Sequence, residues 1–163
     1  MSGVLVQAVT AGPQIESVRQ LLREYARTIP AAVACFQDLE SEMAGLPGAY
    51  APPGGCLLLA ELGGRPAGCV ALRRIDAARC EMKRLYVRPV FRGVGLAGML
   101  IERAIEEARA IGYEEMLLDT LPGMRAARAL YEMLGFRPCA PYLPEPTGGA
   151  ECLALDLRRQ SLG

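Results

Sequence analysis

The apolar run Leu85-Tyr86-Val87 halts at Pro89, passes through Arg92-Gly93-Val94-Gly95, and opens at once into a long amphipathic stretch ending near Ile111. This is the segment that most limits what the chain can fold into. Proline cannot continue a strand ladder, and the two glycines allow backbone conformations that bulkier residues avoid. A strand must therefore turn sharply into a helix here. The turn leaves freshly exposed N–H groups, unobstructed by side chains, at the positive end of a helix dipole. Such a cradle binds phosphate or diphosphate groups. A strand, a helix and a neighbouring parallel strand also imply a right-handed crossover.

Periodicity fills in the remainder. Gly3–Thr10 reads as a first strand ended by Gly12-Pro13, and Ile15, Val18, Leu21, Leu22 and Tyr25 recur at helical spacing from Gln14 to about Arg27. Pro30 ends that helix, a second covers roughly Ala31–Ala44, and GLPGAYAPPGG is too rich in glycine and proline to be regular. Two apolar runs joined at Gly63-Gly64 form a β-hairpin, and Arg79–Val87 is the strand that enters the glycine turn. The long helix runs from Gly95 to Ile111 and is closed by Gly112. EEMLLDT is a buried strand, Met124–Leu134 a helix stopped by Gly135, and FRPCAPYL and ECLALDL are terminal strands. Residues 1–163 are expected to form one domain. Its fold is mixed α+β, with a mostly antiparallel sheet of about six to seven strands flanked by about four helices.

The chain has no histidine, so Ser-His-Asp hydrolysis, Cys-His proteolysis and histidine-ligated metal catalysis are all excluded. Its six cysteines are scattered without a Cys-x-x-Cys pair and several sit in strand-like apolar runs, which reads as free core cysteine and no metal site. Eighteen basic residues balance eighteen acidic ones, so no global field draws the chain toward nucleic acid or an anionic membrane. The absence of a leader-like or membrane-length apolar segment points to the cytoplasm. Neither Gly-x-x-x-x-Gly-Lys-Ser/Thr nor a full Gly-x-Gly-x-x-Gly fits the glycine turn, which sets aside the mononucleotide loops.

Two motifs carry a resemblance. Arg92-Gly93-Val94-Gly95-Leu96-Ala97, and the later Ala127-Arg128-Ala129-Leu130-Tyr131-Glu132-Met133-Leu134-Gly135-Phe136, resemble in order and spacing the GNAT superfamily of acyl-CoA-dependent N-acyltransferases. The likeness spans nearly the whole chain. It implies acetyl-CoA as cosubstrate. The diphosphate would meet the backbone of Arg92, Gly93, Val94, Gly95, Leu96 and Ala97. The pantetheine arm would lie along Leu85, Tyr86 and Val87, where a bulge splays that strand from the next. It also implies direct acetyl transfer to a primary amine of a small molecule or peptide, and it leaves a homodimer open. Many relatives carry an asparagine seven residues before the helix tyrosine; Met124 stands there instead.

Glu81 lies eleven residues before Arg92, where several members of that family carry a glutamate acting through water. By that resemblance it is the candidate general base, and a carboxylate inside an apolar strand is costly unless paired or used. The competing reading pairs it with Lys83, Arg73 or Arg84. Tyr131 is the candidate general acid by its place in the second motif; the alternative is a core tyrosine. Cys80 as an acetylated nucleophile is disfavoured, since strand alternation turns it away from Glu81 and no histidine can activate it. Tyr25, Phe36, Arg73 and Tyr142 are candidate acceptor contacts, with Arg73 suited to an acceptor carboxylate. A non-catalytic acyl-CoA sensor and a protein-modifying acetyltransferase are the alternatives to a small-amine enzyme.

Overall fold

The computed structural model describes residues 3–29, 36–121, 124–142 and 150–158. A seven-stranded sheet runs through the molecule: β1 (Val4–Ala8), β2 (Cys56–Leu62), β3 (Arg65–Arg74), β4 (Arg79–Val87), β5 (Glu115–Thr120), β6 (Arg137–Cys139) and β7 (Glu151–Asp156). Their spatial order is β1-β2-β3-β4-β5-β7-β6. Only β4 and β5 are parallel; every other neighbouring pair is antiparallel. The helices are α1 (Pro13–Thr28), α2 (Phe36–Ala44), α3 (Leu96–Ile111) and α4 (Arg125–Met133).

Two cores form because apolar residues line both faces of the sheet. On one face, Leu58, Val70, Cys80, Met82 and Met116 pack against Leu100, Ile101, Ala104 and Ala108 of α3. On the other, Leu57, Leu59, Cys69 and Ala71 pack against Val18, Leu21 and Leu22 of α1 and Leu39 and Met43 of α2. Burying a Leu or Ile side chain fully is worth ~1.5–3 kcal/mol. The continuous apolar runs of β2 and β3 reflect burial on both faces rather than one. Gly68 lets β3 and β4 approach closely: a Cβ there would stand 2.7 Å from the Tyr86 carbonyl oxygen.

The hairpin at Gly63-Gly64 and the αL cap of α3 at Gly112 form as expected. Three boundaries differ. The expected α2 begins at Phe36 among the described residues; Ala31–Cys35 lie outside them. The glycine- and proline-rich loop contains a short 3-10 turn, Gly48–Tyr50, and Tyr50 is buried under it. The terminal strand FRPCAPYL contracts to Arg137–Cys139, since Pro138 and Pro141 supply no N–H to a ladder.

Candidate active site

The sheet opens where β4 meets β5. Only Arg79, Cys80 and Glu81 pair with Glu115, Met116 and Leu117. Beyond Glu81 the strands part, and among the described residues the main chain of Met82–Val87 has no strand neighbour on that side. A bulge sits in the opened half. Cys69 pairs with Tyr86 and Ala71 with Lys83, so Arg84 and Leu85 together face Val70. Arg84 takes up the extra residue with a φ of 62°, in the left-handed region that non-glycine residues rarely occupy.

Arg84 is held there from the other layer. Its Nε and Nη2 donate to Glu42 Oε2 and Oε1 of α2 at 2.9 and 3.0 Å, and its side chain is only 6% exposed. Burial pushes the Glu42 carboxyl up, but the hydrogen bonds and charge of Arg84 more than offset it and leave it below the ordinary value. No local sequence signal marks this pair. Arginine does not announce a left-handed residue, and its partner lies on a distant helix.

At the mouth of the opening, β4 ends in a short 3-10 turn, Pro89–Phe91, and then the glycine turn. Gly93 and Gly95 have φ of 89° and 84°. A Cβ at either would meet no heavy atom within 4 Å, so the space above both is clear. Gly95 caps α3 without a side-chain hydrogen bond, and the helix ladder begins with Met99 N–H donating to Gly95. The N–H groups of the first turn therefore point outward with the positive end of the dipole behind them. Arg92, Gly93, Val94 and Gly95 are exposed, whereas Leu96 is buried and anchors the helix. Arg92 Nε donates to the Val87 carbonyl at 2.8 Å, tying the turn to the strand end, and its guanidinium lies 5.9 Å from the Tyr86 ring. A clear, donor-rich cradle at the end of an open strand edge fits a diphosphate joined to a peptide-like arm.

Leu85 lines the opening, together with Tyr25, Met82, Lys83, Asp119, Thr120, Leu121, Met124 and Tyr131. The Tyr86 side chain turns away instead, packing edge-on to Tyr25 at 6.2 Å and donating to Glu24 Oε1 at 3.2 Å. Val87 is buried toward α3. Tyr86 and Val87 thus offer main chain rather than side chains to the opening.

Glu81 is 2% exposed. Arg73, directly opposite it in register, donates from Nε to Oε1 at 2.6 Å, and its Nη2 lies 2.6 Å from the same oxygen in the ion pair. The Tyr142 hydroxyl donates to Oε2 at 2.7 Å. Of the three cations considered as partners, Arg73 is the one in contact. The same contact commits the Arg73 guanidinium to Glu81, so it does not stand ready for an acceptor carboxylate. Tyr142 likewise reaches Glu81 rather than open space. Burial, then the charge of Glu81, pushes the Tyr142 phenol far up. Asp119 extends the cluster. Burial raises its carboxyl above the ordinary value, and the Cys152 thiol donates to its Oδ1 at 3.2 Å. It escaped sequence reasoning, although a carboxylate at the end of the apolar run MLLD carries the same signal that singled out Glu81.

Tyr131 projects from α4 into the opening, 7% exposed and 5.8 Å edge-on from Phe136. Burial pushes its phenol well above the usual range, so it keeps its proton. Tyr25 lines the opening; Phe36 starts α2, and its side chain lies outside the described residues. Cys80 is fully buried in the α3-side core with its thiol pushed up to about 12 by burial, which denies it a nucleophilic role. The five described cysteines are free; Cys35 lies outside the described residues. Among the described residues no three His, Cys, Asp or Glu side chains gather as a metal-binding group, and no helix is long and apolar enough to cross a membrane.

Comparison with known proteins gives this geometry a lineage. The model of the Acetyltransferase (GNAT) family matches residues 15–136. An uncharacterized N-acetyltransferase of Schizosaccharomyces pombe is 32% identical over 160 residues, covering 97% of this chain and 98% of that protein. Among solved structures, an acetyltransferase from Streptococcus agalactiae superposes with a TM-score of 0.81 at 21% identity, covering 96% of this chain and 99% of that one. A putative acetyltransferase from Salmonella typhimurium, determined with its cofactor acetyl-CoA, superposes with a TM-score of 0.77 at 19% identity, covering 99% and 98%.

Proposed function

We propose, from the premise that this chain belongs to the GNAT acetyltransferase family and is an acetyl-CoA-dependent acyltransferase, that it acetylates a primary amine of a small molecule or peptide by direct transfer. The observation that carries the reading is the opening itself. Strands β4 and β5 part at Glu81, the glycine turn closes one end, and Glu81 and Tyr131 border the gap from opposite elements.

When bound, acetyl-CoA supplies a thioester whose carbonyl an amine can attack. The first-turn N–H groups of α3 and the backbone of Arg92–Ala97 hold its diphosphate. The Leu85–Val87 edge takes the amide-bearing arm as an added strand would be taken. Glu81 accepts the proton that the acceptor ammonium must lose. Arg73 and Tyr142 fix its orientation and occupy one lone pair on each oxygen, leaving room for an acceptor or an intervening water. Tyr131 gives its phenolic proton to the departing sulfur, a role suited to a phenol that burial keeps protonated.

Thiol release from acetyl-CoA across a panel of amino acids, peptides, polyamines and aminoglycosides tests the reading, with Glu81→Gln alongside. The variant is expected to lose ~10²- to 10⁴-fold in kcat, the usual worth of a positioned proton acceptor, with acetyl-CoA affinity kept. Undiminished turnover in Glu81→Gln removes Glu81 from this role.

A further inference from the structure

The charges around the opening are paired off except at one level of it. Arg73 is matched by Glu81 and Arg84 by Glu42. Two residues past the last paired rung, Lys83 stands on β4 and Asp119 on β5. Because Glu81 and Leu117 are in register, these two residues are level with each other on the same sheet face, the face that α1 and α2 cover. Both line the opening. Asp119 feels the charge of Lys83, yet among the described residues neither enters an ion pair within 4 Å. Lys83 donates none of the hydrogen bonds formed among the described residues, although it is half-buried.

An ammonium in that position has lost water without gaining a contacting anion among the described residues, which costs free energy that a carboxylate would return. Burial and the neighbouring Arg84 depress the Lys83 amine below its ordinary value, and the more distant charges of Glu81 and Glu42 offset only part of that. The lip opposite offers the reverse charge. Glu81 lies two residues from Lys83 on the same strand, about 6.6 Å along it. The opening therefore presents a cation on one side and carboxylates on the other and below, the mirror image of a zwitterion.

We propose that Lys83 receives the carboxylate of the acceptor while Asp119 and Glu81 face its amine, so that the acceptors are amino acids or compounds with the same amine-to-carboxylate spacing. This rests on the acetyl-transfer reading above. Arg73, the residue whose type suggested a carboxylate contact, is committed to Glu81, and Lys83 takes that task. Glu42, Arg84 and Arg73 also act on Lys83, and Tyr25 and Tyr131 line the same opening; Glu42, the carboxylate among them, is already paired with Arg84.

The test is a set of amino acids, each assayed beside its own carboxamide, by thiol release in the wild type, Lys83→Met and Lys83→Arg. Melting temperature and CoA affinity are measured for every protein. The wild type is expected to prefer the acid over the amide by about 30-fold in kcat/KM, expressed in KM, as befits a hydrogen bond to a charged group. Lys83→Met should bring that ratio close to one, and Lys83→Arg should keep most of it. Equal use of acid and amide by the wild type, or an unchanged ratio in Lys83→Met, overturns the assignment while leaving acetyl transfer standing. Mass spectrometry that finds Lys83 itself acetylated overturns it as well. Intact CoA binding with no turnover on any amine sinks the acetyl-transfer reading, and this assignment with it.

Discussion

Replacing Glu42 with alanine tests whether the opened sheet is held from outside it. The substitution leaves the Arg84 guanidinium, 6% exposed, with no carboxylate partner, and leaves position 84 at a φ of 62° without its anchor. Removing one partner of a buried ion pair costs ~3–5 kcal/mol. Glu42 is 21% exposed, so water replaces part of what is lost and the lower end, about 3 kcal/mol, applies. At ~2–4 °C per kcal/mol for a chain of this size, the melting temperature should fall by roughly 6–12 °C. Removing both charges tells a different story. Glu42→Leu with Arg84→Met deletes the stranded cation, keeps the apolar volume, and should recover most of the loss. The left-handed strain at position 84, ~1–2 kcal/mol, is common to wild type and double variant and so does not enter their difference. Urea and thermal denaturation of wild type, Glu42→Leu, Arg84→Met and the double variant complete the cycle, with Glu42→Ala measured beside them. A Glu42→Ala melting temperature within about 2 °C of wild type, or losses that simply add in the double variant, would refute the latch.

Gly95→Val should weaken CoA binding by ~10-fold or more, because a β-branched residue is strained at a φ of 84° and fills the clear space over the turn; calorimetric affinities equal to wild type would count against the cradle. Gly68→Ala places a methyl 2.7 Å from the Tyr86 carbonyl oxygen and 3.2 Å from Leu100 and Val87, so a loss of ~1–3 kcal/mol is expected in urea titration. Asp119→Asn should be more stable than wild type at neutral pH. The folded-state carboxyl is raised by burial, so its favourable contribution is complete below the unfolded value of 3.8 and is lost as pH climbs through the folded value. The melting-temperature advantage should therefore vanish on acidification below 3.8, and an advantage independent of pH would argue against burial as its cause.

The elements that local chemistry decides were legible in the sequence. Gly63-Gly64 between two apolar runs makes a hairpin, Gly112 closes a helix in the left-handed conformation, and the glycines at 93 and 95 open another. Glu81 stood out because the strand around it is apolar. Its partner did not, since three cations were available and only the β3–β4 register sets Arg73 opposite it. The same limit hid Tyr142, which reaches Glu81 from 61 residues away, and Glu42, which reaches Arg84 from 42. The bulge is the least visible feature, because arginine at a positive φ is stabilised by a tertiary contact and not by its own preferences. Nor does periodicity reveal that β7 inserts between β5 and β6.

Three rungs join the two halves of the sheet. Past them, a guest molecule lying along β4 would act as a mortar course between two walls, adding rungs that the polypeptide itself lacks. Any ligand that favours the folded form raises its population in proportion to occupancy. The fraction of chains standing at a given temperature is thus tied to the supply of the acyl donor they consume.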